Sequence, residues 1–226
     1  TYKEIVPVVD RYIETLKQFG ITNDDRGLEL HIPDEVLFGV SGRMARLHLS
    51  RFEKVVGLCP GARHATKRWP ADGFARVGAA FAQKLDAKIL LFGGPTDEPV
   101  CNQIAWEINN QVGAERATSL CGQLKLLETG AAMEYCDVII TNDTGLMHIA
   151  TAMHKKIVAM FGSTVREFGF FPYDPAAVVL ERQGLDCRPC SHIGRRDCPE
   201  KHFRCMTEIE PDQVFSRARD LLGQGV

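Results

Sequence analysis

The sequence predicts an α/β fold, a Rossmann-like parallel sheet with helices on both faces. Three observations carry this. Short apolar runs recur at intervals of about thirty residues with helical-period segments between them, which is the spacing of βαβ units. Most of these runs end in Gly, Pro or polar residues, and right-handed crossovers bring all such ends to one edge of the sheet. The apolar run Val138-Ile139-Ile140 passes into Thr141-Asn142-Asp143-Thr144-Gly145-Leu146-Met147-His148 and then into the apolar residues 149–153. A strand that turns through polar residues and Gly into a helix is where open α/β sheets hold ligands.

Taken in order, residues 2–19 carry Ile5, Val8, Val9, Tyr12, Ile13 and Leu16 on one face and stop at Gly20, which predicts a helix. It has no preceding strand to pack on and the chain opens on Thr1, so it reads as part of a longer protein, cut where one domain hands over to the next. Leu28-Glu29-Leu30-His31-Ile32 alternates and stops at Pro33, a short edge strand or linker. Asp34 can cap a helix through Val36, Leu37 and Val40. Residues 1–52 are therefore expected to be an interdomain helix and linker from a missing N-terminal domain. Residues 54–59 form the first buried strand, which runs into the tight turn Pro60-Gly61-Ala62. Pro70 starts a helix with Phe74, Val77, Phe81 and Leu85 at helical spacing. Residues 88–92 are the second strand, closed by Gly93-Gly94-Pro95, after which Thr96 and Asp97 open a helix with Val100, Ile104 and Ile108 inward. Residues 118–122 form a third strand, 126–136 a helix, 138–141 the fourth strand, 157–161 the fifth and 178–180 a sixth. Residues 53–211 make up the Rossmann-like unit, and 212–226 a C-terminal helix. The first and last helices are expected to dock against the missing half and to expose apolar patches without it.

The totals exclude several classes. With 226 residues and 45% hydrophobic content the chain can bury a sizeable core. A net charge of -2 argues against nucleic acid as a partner, because no broad basic field is available. No apolar run is long enough to span a bilayer, and no signal peptide opens the sequence. Eight cysteines without a secretory signal suggest reduced thiols in a cytoplasmic setting, although an even count leaves an oxidised secreted protein open.

Four segments carry candidate chemistry. The loop from Pro60 to Pro70 gathers Arg63, His64, Lys67 and Arg68 beside Gly61, a composition suited to a diphosphate or equally to a solvated basic loop; Trp69 reads as a packing anchor. It is not a P-loop, and no G-x-G-x-x-G signals a nicotinamide site. Gly93 and Gly94 let a ligand approach the backbone, and Glu98 could accept from a ribose, or simply belong to an acidic first turn. Asp143 and Thr144, with the N–H groups of the next helix, can hold hydroxyls and phosphates, or Thr141, Asn142 or Asp143 can simply cap that helix; His148 lies one turn further on. Finally, Cys187, Cys190, Cys198 and Cys205 fall in a short basic segment, 187–205. Four thiolates could bind a structural zinc ion tetrahedrally, but the second pair lacks the knuckle spacing, so free thiols or two disulfides stay open.

The ordered series Pro60-Gly61-Ala62, Lys67-Arg68-Trp69-Pro70, Phe92-Gly93-Gly94, Thr141-Asn142-Asp143-Thr144-Gly145-Leu146-Met147-His148 and Phe161-Gly162-Ser163-Thr164 resembles the lipopolysaccharide heptosyltransferases. Arg196-Asp197-Cys198-Pro199 and His202-Phe203-Arg204-Cys205-Met206 resemble the heptosyltransferase II branch. The resemblance implies the C-terminal domain of a GT-B fold, two Rossmann-like domains facing across a cleft. It also implies an inverting transfer of heptose from an ADP-heptose to the lipopolysaccharide inner core, with no cofactor required for catalysis. By resemblance Lys67 holds the donor phosphates, Asp143, Thr144 and Gly145 the sugar or diphosphate, with His148 nearby, Glu98 the ribose and Leu124 the adenine. Gly61, Ala62, Thr66, Gly93, Gly94 and Leu146 complete the expected donor site. The resemblance also implies that the catalytic base is an Asp of the N-terminal domain, so this chain alone is expected to bind donor without turnover. The acceptor is expected to reach the site through that domain, at the cytoplasmic side of the inner membrane, with a peripheral membrane contact. Two rival readings are a different GT-B enzyme, such as a nucleotide-sugar epimerase, and a non-catalytic zinc-bearing interaction module.

Overall fold

The fold is known from a computed structural model, which describes residues 5–223. Six parallel strands form one sheet in the order β3-β2-β1-β4-β5-β6. They are β1 Lys54–Cys59, β2 Ala87–Leu91, β3 Ala117–Ser119, β4 Val138–Asn142, β5 Lys156–Phe161 and β6 Val178–Glu181. The helices are α1 Val8–Glu14, α2 Asp34–Ala45, α3 Ala71–Lys84, α4 Glu98–Val112, α5 Leu126–Met133, α6 Gly145–Ala152, α7 Arg204–Thr207 and α8 Pro211–Gly223. The strand runs fall where the apolar runs predict them to within a residue at each end, except that β3 stops at Ser119, three residues short of the expected end.

The sheet is buried on both faces, which is why its strands read as nearly continuous apolar runs. Side chains alternate between the faces along each strand. Val56, Leu58, Ile89, Leu91, Ile140 and Val158 pack with α3, α4 and α8 residues such as Phe74, Ile104 and Val214. Val55, Leu90, Ile139, Ile157 and Ala159 pack on the other side with Val40, Met44, Ala131 and Met147 of α2, α5 and α6. Full burial of one such aliphatic side chain contributes about 1.5–3 kcal/mol.

Three expectations change. The opening helix spans only Val8–Glu14, because Pro7 fixes the backbone at its N-cap; it buries no residue, and Tyr12 and Phe19 are each 70% exposed. Residues 1–4 lie outside the described residues. Residues 28–32 form no strand; they run extended along α5, where a side chain on Gly130 would meet Leu30 and Ile32. The last helix does not present an apolar face: Val214, Ala218 and Leu221 are buried in the sheet's own core. Among the described residues no helix is long and apolar enough to cross a membrane.

The thiols also depart from the reduced state expected. Cys101, in the first turn of α4, and Cys121, just past β3, are joined in a disulfide, with their Cα atoms 6.4 Å apart. Neighbouring elements on one face of the sheet bring together two residues that no spacing rule would pair. The other six cysteines are free, and Cys59 and Cys136 are wholly or nearly buried.

Candidate functional site

The strand order reverses direction between β1 and β4, and the C-terminal ends of these strands open a crevice between their loops. Two loops face each other there. The β1 loop passes through a 3-10 turn, Ala65–Lys67, before α3; the β4 turn passes directly into α6. Asn142 locks them together. Its side-chain amide donates to the Pro60 carbonyl at 2.8 Å and its amide oxygen accepts from the Trp69 N–H at 3.0 Å, all within a buried environment. Trp69 is the anchor the sequence suggests: it is 3% exposed, donates its indole N–H to the Ile209 carbonyl and meets Phe74 edge-on.

Across this crevice Lys67 Nζ lies 2.7 Å from Asp143 Oδ2, with side chains 15% and 4% exposed. The same Asp143 oxygen accepts from the Thr164 hydroxyl at 2.7 Å, so three loops, after β1, β4 and β5, meet at one carboxylate. Beside them the buried hydroxyls of Thr144 and Ser163 make no hydrogen bond within the protein. Burying an unpaired hydroxyl is costly, and such groups await a partner. Thr144 is the N-cap of α6 yet makes no side-chain cap bond, which leaves the start of that helix open to an anion. Burial holds the His148 imidazole below its ordinary value, an effect Asp143 opposes and Lys67 reinforces, so His148 is neutral at pH 7.

A cleft of about 720 Å³ adjoins this pair. Of the residues expected at a donor site, Gly61, Ala62, Gly94, Thr144, Gly145 and Leu146 line it, with Arg63 and Arg68 of the basic loop; Lys67, Asp143 and His148 are not among its lining, which reaches the pair through their chain neighbours Arg68 and Thr144. Its apolar wall is Leu126, Leu146 and Ile149. A Cβ at Gly61 would overlap the carboxylate of Asp97, so any other residue there has to push that side chain off the Gly94 N–H, from which it accepts at 3.0 Å.

Other expected residues sit elsewhere. Glu98 is exposed and packs by Gly122, while Asp97, one residue earlier, lines the cleft. Leu124 packs against the core and Leu126 takes the place on the cleft wall, because α5 begins at Leu126 and aims its first turn there. Gly93 touches Asp97 and Cys121 beneath the cleft. The Thr66 hydroxyl is engaged: it accepts from the Arg195 N–H at 2.8 Å and donates to the Arg195 carbonyl at 3.2 Å. Asn142, Thr164 and Asp97 are the site residues that sequence reasoning did not assign; each was readable only as turn or cap chemistry.

The four clustered cysteines lie in one segment and its adjoining helix, α7. Among the described residues no three His, Cys, Asp or Glu side chains converge on a point fit for a metal ion. Cys187 faces His202, with Sγ 4.0 Å from Nε2, whereas Cys205 is buried on α7. The four thiols are nevertheless near enough to act electrostatically on one another, Cys205 being influenced by Cys190, Cys198 and Cys187.

Residues 3–202 match the family model described as glycosyltransferase family 9 (heptosyltransferase). A lipooligosaccharide heptosyltransferase 2 of Campylobacter jejuni is 34% identical over 178 residues, covering 78% of this chain and 53% of its own length. The glycosyl transferase family 9 structure from Veillonella parvula superposes with a TM-score of 0.82 at 27% identity, covering 98% of this chain and 61% of that one. The ADP-heptose lipopolysaccharide heptosyltransferase II of Escherichia coli gives 0.68 at 25% identity, covering 87% and 54%. The chain thus spans about half the length of the relatives it matches. With the Rossmann-like sheet, the crevice at the strand reversal and these matches together, the chain belongs to glycosyltransferase family 9, the heptosyltransferases.

Proposed function

We propose that this chain is the donor-binding half of an inverting glycosyltransferase that moves heptose from ADP-heptose to the lipopolysaccharide inner core. The observation that carries the reading is the Lys67–Asp143 pair at the strand reversal, flanked by the unpartnered Thr144 and Ser163 hydroxyls. Loss of ADP from the sugar leaves negative charge on a diphosphate. Lys67 and the open N-terminus of α6 are fixed beforehand where that charge would develop, the arrangement that lowers a barrier electrostatically. The cleft is of the size usual for nucleotide-like ligands. Its apolar wall of Leu126, Leu146 and Ile149 suits a base, and Asp97 is the carboxylate placed to accept from a ribose.

The acceptor hydroxyl needs a base as well. Asp143 is already committed to Lys67 and Thr164, so it acts as a fixed acceptor, and the base comes from the other half of the enzyme. Such an enzyme works where its acceptor is made, on the cytoplasmic face of the inner membrane. The test is calorimetric titration of the chain with ADP and with UDP. ADP is expected to bind at least about tenfold more tightly, a difference of 1.4 kcal/mol. Equal affinities, or no ADP binding, would overturn the assignment.

A further inference from the structure

The segment between β6 and α7 has no regular secondary structure, yet it is tied down at two points, both beside the Lys67–Asp143 pair. One tie is Arg188, which sits between Cys187 and Cys190 with its side chain only 7% exposed. Its Nε donates to the Gly162 carbonyl at 2.6 Å, and Nη2 to the Thr164 carbonyl at 3.0 Å. The same Nη2 reaches Glu181 Oε2 at 2.9 Å, and Nη1 reaches the Arg182 carbonyl at 2.8 Å. The planar guanidinium thereby fixes the loop after β5 from both sides of Ser163, and fixes Thr164, whose hydroxyl holds Asp143. The other tie is Arg195, whose backbone brackets the Thr66 hydroxyl and N–H one residue before Lys67. The Thr66 carbonyl in turn accepts from the Ser163 N–H at 3.3 Å.

Resting on the donor-site reading above, we propose that Arg188 is a positioning residue for that site: through Thr164 it holds Asp143 where Asp143 aims the Lys67 ammonium at the donor diphosphate. Arg188 touches neither Lys67 nor the cleft. Its effect passes through one carbonyl and one hydroxyl. The basic, cysteine-bearing segment is then a strap that sets the geometry of the anion site, and its positive charge is not itself the ligand contact. Lys cannot replace Arg here, because a single ammonium does not span the four acceptors on two segments.

The test is a cycle of ADP titrations on wild type, Arg188→Met, Lys67→Ala and the double variant, with melting temperatures alongside. Arg188→Met is expected to weaken ADP binding about tenfold, the loss of one well-placed charge-assisted contact. In the Lys67→Ala background the same change is expected to cost nothing further in affinity, while its thermal destabilisation persists in both. Equal fold-losses in the two backgrounds would overturn the proposal and leave Arg188 a purely structural residue. Thr164→Val, which deletes only the hydroxyl link, should reproduce the affinity loss if Arg188→Met does not fold. An NMR titration of His148 gives a second reading independent of any nucleotide. If Asp143 loosens, the imidazole midpoint falls below the wild-type one, because Asp143 is the group that raises it. An unmoved midpoint counts against the proposal. Failure of wild type to bind ADP would refute the donor reading and leave the His148 result to decide this one.

Discussion

Replacing Lys67 with Ala tests the site at its centre, and two consequences can be separated. The ammonium is 2.7 Å from a carboxylate that is 4% exposed, so its removal strands a buried charge. Breaking a fully buried pair costs about 3–5 kcal/mol; Lys67 keeps some contact with water, so about 2–3 kcal/mol is expected here. For a chain of this length that lowers the melting temperature by about 5–10 °C. Separately, a charge-assisted contact to the diphosphate is lost, about 1.5–3 kcal/mol or 10- to 150-fold in ADP affinity. Asp143→Asn discriminates between the two. It also disrupts the pair but keeps the ammonium, now without the carboxylate that aims it, so stability should fall and ADP affinity should fall by less than in Lys67→Ala. The double variant should recover stability relative to Lys67→Ala, because no charge is left stranded. Calorimetry and thermal melts on the four proteins give the complete cycle. If Lys67→Ala binds ADP as wild type does, or if Asp143→Asn loses more affinity than Lys67→Ala, Lys67 is not the phosphate ligand.

Other outcomes follow from the same contacts. In Gly162→Ala the new Cβ would lie 2.6 Å from both the Thr66 carbonyl oxygen and Met206 Sδ; the backbone cannot yield, so about 1–3 kcal/mol of destabilisation is expected in urea melts. Because burial holds His148 below its ordinary value, the unfolded chain takes up its proton first as pH falls. Stability should therefore drop below about pH 6.5, and His148→Gln should flatten that drop in melts at pH 7.5 and 5.5. Thiol labelling of the native protein should reach the half-buried Cys187 and Cys190 and spare Cys59, whose burial pushes it up to about 12, and Cys136, which burial raises further. Removing the Cys101–Cys121 link, which closes a loop of sequence separation 20, should cost about 3 kcal/mol by chain entropy, read from melts of the Cys101→Ala, Cys121→Ala protein.

What the sequence reveals here, and what it hides, follow from the range of each interaction. Strand positions were legible because burial on both faces makes each strand an unbroken apolar run, as in residues 138–140 and 157–161, and a local window detects that. Gly61, Gly94 and Gly145, which line the cleft, were legible as turn glycines because chain turns leave the same signature everywhere. Leu124 and Glu98 do not line the cleft although the helices start within a residue or two of where they were expected, because which side chain of a first turn faces a crevice depends on how the neighbouring loops pack, and Leu126 and Asp97 face it instead. Asn142 looked like a cap since its composition and position are those of a cap; its real partners, the Pro60 carbonyl and the Trp69 N–H, lie far away in numbering. The Lys67–Asp143 pair has the same origin. Nothing local joins the two residues, but once β1 and β4 are neighbours their exits cannot avoid one another, because the register pairs Cys59 with Thr141. Two residues after Thr141 comes Asp143, and a single 3-10 turn brings Lys67 back over it. The contact that defines the site is thus a consequence of strand order, and strand order is the one feature of this fold that no stretch of the sequence states by itself.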